Sequence, residues 1–404
     1  MKRIKKKKIE EDNTFSMFEV IIIILISILF GIVIGYIITY NKNPMYDNKS
    51  GNNVSEIVNV YNNLVNNYYG KVDQDKLSDA AIKGMIESLD DPFTNYMDLT
   101  TTNEFNETVD GSFVGIGIVI NYEEEGFKIT EIMKNSPAED SGLKVGDILT
   151  KIDDQELNVD YNNIFAKLIK GKVGTEVKVT VLRGDKEKSY VMKRSVIEID
   201  TVHKHIFKDD NSKIGYVKID SFASNSSKQF DKAIKRFDKE KINSLIIDVR
   251  DNPGGHLKEV RNILSNFFDK KTVLYQIKTN NQKKKISSIN NDTKDYNIVV
   301  LINSGSASAS EILASCFKEN YSKVTIVGVD SYGKGTVQKS QTLNSGSAIK
   351  YTTEKWLTSK GKWLDKKGVK PDVYIEEDES YRDNPIYDND IQLKMAINKL
   401  KESN

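Results

Sequence analysis

The spacing of hydrophobic and polar positions changes several times along this chain, and each change marks a part of it. Residues 20–40 read Val-Ile-Ile-Ile-Ile-Leu-Ile-Ser-Ile-Leu-Phe-Gly-Ile-Val-Ile-Gly-Tyr-Ile-Ile-Thr-Tyr, without one charged residue. About 20 apolar residues cross a bilayer core as a helix, so this run predicts one transmembrane helix. Residues 41–53 are polar, carry Pro44 and Gly51, and read as a linker. Helical spacing follows over 55–69 and 74–88, and Pro92 breaks it. From residue 112 the pattern becomes strand-rich. A helical stretch at 162–169 precedes the alternating run Val177-Lys-Val-Thr-Val-Leu182. Beyond 196 the pattern is α/β, with strands predicted at 213–219 and 244–249 and helices at 227–237 and 256–268. Further strands fall within 272–302, a helix starts near Ser310, and an amphipathic helix covers 391–400.

The predicted division is therefore a basic tail (1–19), a spanning helix (20–40), a linker (41–53), a helical segment (54–111), a strand-rich domain (112–195), an α/β domain (196–380) and a helical tail (381–404). No internal repeat is evident.

Composition sharpens this picture at three points. The 404 residues are 38% hydrophobic and 29% charged, which fits a globular body of two or three domains. The net charge is +1, but Lys2, Arg3 and the four lysines at 5–8 supply +6, leaving −5 for residues 9–404. That balance excludes a basic nucleic-acid binder. The basic run precedes the apolar one, which predicts a cytoplasmic N-terminus and an outside remainder. No Ala-x-Ala-like site follows, so the segment reads as an uncleaved anchor. A single cysteine, Cys316, rules out an internal disulfide and reads as a small core residue. The lysine-rich residues 280–285 read as a solvated hairpin tip.

Candidate chemistry lies in three separated runs. Asn303-Ser-Gly-Ser-Ala-Ser-Ala-Ser-Glu311 follows the apolar strand pattern at 298–302 and leads into a helix. Tyr332-Gly-Lys-Gly-Thr-Val-Gln338 puts a lysine between two glycines. Asp248-Val-Arg-Asp-Asn-Pro-Gly-Gly255 follows a buried strand and precedes a helix. A serine needs a base that takes its proton as it attacks. The candidate serines are Ser304, Ser306, Ser308, Ser310 and Ser315. Only three histidines exist. His203 and His205 fall on one strand face, and His256 is the one rival base. His203-x-His205 lacks the partner motif of a metal site. Lys334 can serve as base if burial lowers its pKa. Gln338 lies four positions on, an even offset that on a strand would put it on the face of Lys334. The glycines of the third run can present N–H donors without an obstructing Cβ, and Arg250 can pair inside the core.

The serine and lysine runs together resemble the active site of the carboxyl-terminal processing peptidases, or tail-specific proteases. The Asp-Asp-Pro-Phe turn at 90–93 and the Asp-x-Arg-x-Asn-Pro-Gly-Gly run are similar to the same family. Phe113-Val-Gly-Ile-Gly117, Asn135-Ser-Pro-Ala138 and Gly142-Leu-x-x-Gly-Asp147 resemble a PDZ domain of the permuted bacterial form. The resemblance covers nearly all of residues 55–400. It implies an α/β, crotonase-like catalytic domain interrupted by PDZ, and a Ser–Lys dyad needing neither metal nor cofactor. It maps the nucleophile to Ser308, a position at a helix N-terminus where negative charge is favoured, with Lys334 as base and Gln338 beside it. Gly254, Gly255 and Ala309 are the expected oxyanion donors. Phe113, Val114, Gly115, Ile116 and Gly117 are the expected holders of a substrate C-terminus, with the peptide adding as a strand.

The expected activity is endopeptidase cleavage of extracytoplasmic proteins near their C-termini. Expected partners are protein or peptide substrates and the membrane, with the choice between monomer and homodimer open. Two other readings compete: a PDZ scaffold with a vestigial dyad, and a crotonase-like acyl-transfer enzyme. The full dyad disfavours the first, and the PDZ insertion disfavours the second.

Overall fold

The computed structural model describes residues 17–42, 51–124, 126–157, 165–208, 212–377 and 389–402. The chain divides into two compact units, 1–85 and 86–404. The first holds α1 (Met17–Lys42), α2 (Gly51–Asn67) and most of α3 (Gln74–Glu87). α2 starts inside the expected linker, because helical apolar spacing already begins at Val54, Ile57 and Val58. Among the described residues, no helix is long and apolar enough to cross a membrane. The expected span at 20–40 falls within α1, several of whose side chains lie outside the description.

The second unit opens with β1 (Asn95–Met97) and α4 (Leu99–Asp110). Asp98 caps α4 by accepting the Thr101 N–H at 2.8 Å. The strand-rich domain comprises β2 (Ser112–Gly115), β3 (Ile118–Glu123), β4 (Gly126–Ile132), α5 (Pro137–Ser141), β5 (Ile148–Ile152), β6 (Gln155–Glu156), α6 (Phe165–Ile169), β7 (Glu176–Arg183), β8 (Lys186–Lys193) and β9 (Ser195–Glu198). Its main sheet has the order β3-β4-β5-β7-β8, with β6 on β5, and β2 pairs with β9. Ile116, Phe127, Ile129, Leu149 and Val179 fill its core. Asp147, buried beside Arg183 at 2.6 Å, ties the turn before β5 to the end of β7. Residues 162–164 of the expected helix lie outside the described residues.

The α/β domain runs through β10 (Val202–Lys208), β11 (Lys213–Ile219), α7 (Ser226–Lys239), β12 (Ser244–Asp248), α8 (Leu257–Leu264), β13 (Val273–Lys278), β14 (Lys283–Ser287), β15 (Asn297–Ile302), α9 (Ala309–Asn320), β16 (Val324–Gly328), β17 (Thr336–Thr342), β18 (Ala348–Thr358), β19 (Val373–Tyr374) and α10 (Ile391–Glu402). One sheet is ordered β10-β11-β12-β15-β16-β19, parallel except for β10. Every residue of β12 is buried. Such runs belong to parallel sheets covered on both faces. Here Phe230, Phe237, Val260, Leu264 and Phe317 belong to the larger core, while Leu393, Ala396 and Ile397 of α10 pack with Ile246, Val299 and Leu301. The second sheet is ordered β1-β18-β13-β14, with β17 on β18. The lysine-rich tip becomes the β13–β14 turn and the edge strand β14.

Candidate active site

At the C-terminal end of β15 the chain turns sharply before α9, and small residues let it do so. Ser306 donates its hydroxyl to the Val249 carbonyl at 2.7 Å, and Ser310 donates to Asn252 O at 2.8 Å. The Ala307 N–H reaches the same Asn252 carbonyl at 3.0 Å. These bonds stitch residues 306–310 onto the loop after β12. Ser315 donates to Ile312 O at 3.3 Å, and Ser304 is exposed. Ser308 is half-buried, and among the described residues its hydroxyl donates to no carbonyl. It holds φ 55° and ψ −110°, a left-handed conformation rare for a residue with a Cβ. Strain of this kind collects at functional turns.

Gly254 lies against Ser308. A Cβ at Gly254 would stand 2.9 Å from Ser308 Cβ and 3.1 Å from the Ala309 nitrogen, and φ there is +108°. The Gly254 N–H is donated to Asn252 Oδ1 at 2.8 Å. The Gly255 and Ala309 N–H groups have no partner among the described residues. Of the three expected oxyanion donors, Gly255 and Ala309 are thus unengaged among the described residues, while Gly254 supplies the close approach to Ser308.

The lysine turn is fastened to the serine turn by Glu311, a fully buried residue at the third position of α9. Its Oε2 accepts the Ser308 N–H at 2.8 Å and the Lys334 N–H at 2.9 Å. Its Oε1 accepts the Gly333 N–H at 2.7 Å and the Ser331 hydroxyl at 2.6 Å. Trp356 Nε1 donates to the Lys334 carbonyl at 2.6 Å. The Lys334 side chain is half-buried, and its Nζ stands 4.6 Å from the centre of the Phe93 ring. Burial pushes this ammonium below the ordinary lysine range, and the nearby Lys350 ammonium adds to the effect. The carboxylates of Asp91 and Glu311 pull the other way.

Gln338 does not reach the lysine. Its amide donates to the Thr336 hydroxyl at 2.9 Å and to the Thr352 hydroxyl at 3.2 Å. The even-offset argument fails because Lys334 precedes β17, in the turn before the strand's alternation begins. His256 caps the start of α8, and its buried Nε2 has no partner among the described residues. His203 pairs with Asp220 at 2.7 Å on the exposed strand β10.

Two contributions escaped the sequence, and of a third, Arg250, it showed the core pairing but not the partners. The 91–94 turn lies beside the lysine: Asp91 accepts the Thr94 hydroxyl at 2.6 Å and the Phe93 N–H at 3.1 Å. A hydrogen bond from Thr352, these two bonds and Lys334 hold its carboxyl below the usual range despite burial. The Pro92 break marked this turn without showing where it folds. Glu311 carried a signal, a serine followed three residues later by Glu at a helix start, but not its second partner. Arg250 is buried and bonds Asp248 at 2.6 Å and Asp390 at 2.7 Å, so it pairs inside the core and anchors the start of α10.

In the PDZ-like domain, Phe113, Val114 and Gly115 lie in β2, and Ile116 and Gly117 connect it to β3. Gly117 needs its φ of +80°, and a Cβ there would stand 2.3 Å from Ser136 Cβ. The N–H groups of Ile116 and Gly117 are buried and have no partner among the described residues. β3 is an edge strand of its sheet.

Comparison with known proteins agrees with this layout. Residues 213–375 match peptidase family S41, residues 114–193 a PDZ domain, and residues 38–101 the activating protease CtpB N-terminal domain. A CtpA-like serine protease of Staphylococcus epidermidis is 36% identical over 371 residues, covering 91% of this chain and 74% of its own. One from Staphylococcus aureus is 36% identical over 347 residues, covering 85% and 69%. The crystal structure of an S41 protease from Bacteroides fragilis aligns over 84% of this chain and 92% of its own, with TM-score 0.50 and 15% identity, a likeness of fold alone. Fold, site and relatives define a serine peptidase carrying a PDZ domain. The chain belongs to peptidase family S41, with the CtpA-like serine proteases.

Proposed function

We infer that this peptidase works through a Ser308–Lys334 dyad. The observation that carries the reading is the strained Ser308 turn, pressed against Gly254 and joined to the Lys334 turn by Glu311. Neutral Lys334 takes the Ser308 proton as Oγ attacks the scissile carbonyl carbon. The Ala309 and Gly255 N–H groups receive the developing oxyanion, each such donor being worth about 2.7–4 kcal/mol. The Lys334 ammonium then protonates the leaving amine as the C–N bond breaks. Water, deprotonated by the lysine, hydrolyses the acyl-enzyme and frees Ser308. For this the lysine amine must leave the Phe93 ring and reach Ser308 Oγ. Gln338 steadies the neighbouring strand through Thr336 and Thr352.

The substrates are proteins cut near their C-termini. The unpartnered N–H groups of Ile116 and Gly117 suit a terminal carboxylate, and the free edge of β3 suits an added peptide strand. α1, 26 residues long over a stretch uncharged from 20 to 40, is the proposed anchor, with residues 41–404 outside the cytoplasmic membrane.

The test is cleavage of an unfolded protein by the full chain. Ser308→Ala and Lys334→Ala should each abolish it, and the double variant should be little worse than either. A Ser308→Ala chain cutting at near the parent rate would sink the assignment. Equal processing of free-acid and amidated C-termini would remove PDZ capture. Protease protection of 41–404 in intact spheroplasts would sink the topology.

A further inference from the structure

Among the described residues Lys350 has no counter-ion. It lies on β18, opposite Asn95 of β1 and Ser340 of β17, and is half-buried. No carboxylate of the described residues stands within ion-pair distance of it. Its Nζ instead stands 5.3 Å from the centre of the Phe105 ring. Lys334 is held in the same manner over Phe93. An aromatic face steadies an ammonium without neutralising it, so the Lys350 charge stays available.

The face of β18 that carries Lys350 belongs to the active site. Thr352, two residues on and therefore on that face, accepts from Gln338 at 3.2 Å. Its backbone N–H donates to the Thr94 hydroxyl at 3.1 Å, within the turn that carries Phe93. Burial disfavours the charged form of both lysines, and Lys350 acts on Lys334 as a like charge. Asp91 and Glu311 answer Lys334, but their oxygens are already occupied by Thr94, Phe93, Ser308, Ser331, Gly333 and Lys334. Lys350, a half-buried cation with no carboxylate beside it among the described residues, attracts an anion from outside.

We propose that Lys350 is a recognition site for a substrate carboxylate beside the catalytic lysine. The carboxylate is an acidic side chain near the scissile bond or the free C-terminus of the peptide. The inference rests on reading Lys334 as the catalytic base, and adds a charge preference to it.

The test uses the full chain carrying Ser308→Ala, so that binding is read without turnover. Short fluorescent peptides with one Glu walked along the sequence are each paired with a Gln counterpart. Every peptide is made as free acid and as amide. In one register the Glu peptide should bind about tenfold more tightly than its Gln twin. Lys350→Met should bring that ratio to about one, and Lys350→Arg should keep it. If the free acid-to-amide ratio collapses instead, the carboxylate is the terminal one. An acid-to-amide ratio that survives Lys350→Met belongs to the PDZ loop and removes the terminal source. Glu-to-Gln and acid-to-amide ratios that Lys350→Met leaves unchanged, in a chain of unaltered circular dichroism, overturn the proposal, as do Glu-to-Gln and acid-to-amide ratios that are both one throughout in the chain with Lys350 intact. Should Lys350→Met fail to fold, Lys350→Gln takes its place. Failure of the parent chain, with Ser308 intact, to cut any peptide would sink the dyad reading while leaving the binding ratios to stand.

Discussion

Ser308 and Lys334 hang from one carboxylate oxygen: Glu311 Oε2 accepts the backbone N–H of both, at 2.8 and 2.9 Å. The two turns come from opposite ends of α9 and β16, so this oxygen fixes their spacing directly. Charge-assisted bonds of this kind are shorter and stronger than neutral ones. Glu311→Gln puts an NH2 where two donors point and leaves buried donors unpaired, at about 1–3 kcal/mol each. Cleavage should fall by at least about a hundredfold. Thermal unfolding should show a smaller loss of stability in the same variant. Activity within a few-fold of the parent would show that the turns keep their spacing without the shared oxygen.

The pH dependence of cleavage follows from the surroundings of Lys334. Burial and Lys350 lower its pKa, and the neutral amine is the working base. The rate should therefore rise as pH rises through the lowered value. The Phe93 ring favours the charged form, because a ring face attracts a cation. Phe93→Leu keeps an apolar side chain and removes that attraction, so the rising limb should move to lower pH. A profile of kcat/KM against pH reads this directly. A limb that moves to higher pH would mean that the ring serves mainly to exclude water.

Gly254 should tolerate no side chain. Gly254→Ala places a methyl group 2.9 Å from Ser308 Cβ and 3.0 Å from the Ala307 carbonyl, at a φ of +108°. Both contacts are with parts of a turn already strained at Ser308. Loss of activity by about a hundredfold or more is expected, with the PDZ-like domain still folded. Retained peptide binding in the Gly254→Ala chain would place the damage at the reacting atoms rather than at capture.

Regular elements were legible because their periodicity reports burial directly. The all-buried Ser244–Asp248 and the alternating Lys213–Ile219 read as strands for that reason. The presence of a PDZ domain was legible too, its glycine-bearing runs between Phe113 and Asp147 lying in or next to the stretch that matches one, 114–193. Contacts between distant segments were not legible. Nothing in the Asp91-Pro92-Phe93 turn says that it lies beside a lysine more than two hundred residues on. Parity along a strand could not foresee that Lys334 stops short of β17, whose Gln338 bonds Thr336 and Thr352 instead. Counting glycines could not tell which N–H was already taken, and Asn252 takes that of Gly254.

Arg250 offers a test of stability rather than chemistry. Its guanidinium, buried with Asp248 and Asp390, joins the end of β12 to the start of α10. Removing one partner of a buried pair leaves uncompensated charge and costs about 3–5 kcal/mol. Arg250→Met should lose about that much at neutral pH, measured by urea unfolding. In the parent, Arg250 and the hydrogen bonds from Tyr216 and the Arg250 N–H hold the Asp248 carboxyl below its usual range despite burial. That stabilisation is present above the unfolded carboxylate value of about 3.9 and is lost as pH falls through the lower folded value. In the variant the buried carboxyl has lost its cation, so burial raises its folded pKa above the unfolded one. The variant's Asp248 then opposes folding as pH rises and ceases to do so in acid. The stability gap between parent and variant should therefore narrow as pH falls from neutral to about 4. A gap that stays constant over this range would mean that Arg250 acts through packing and not through charge.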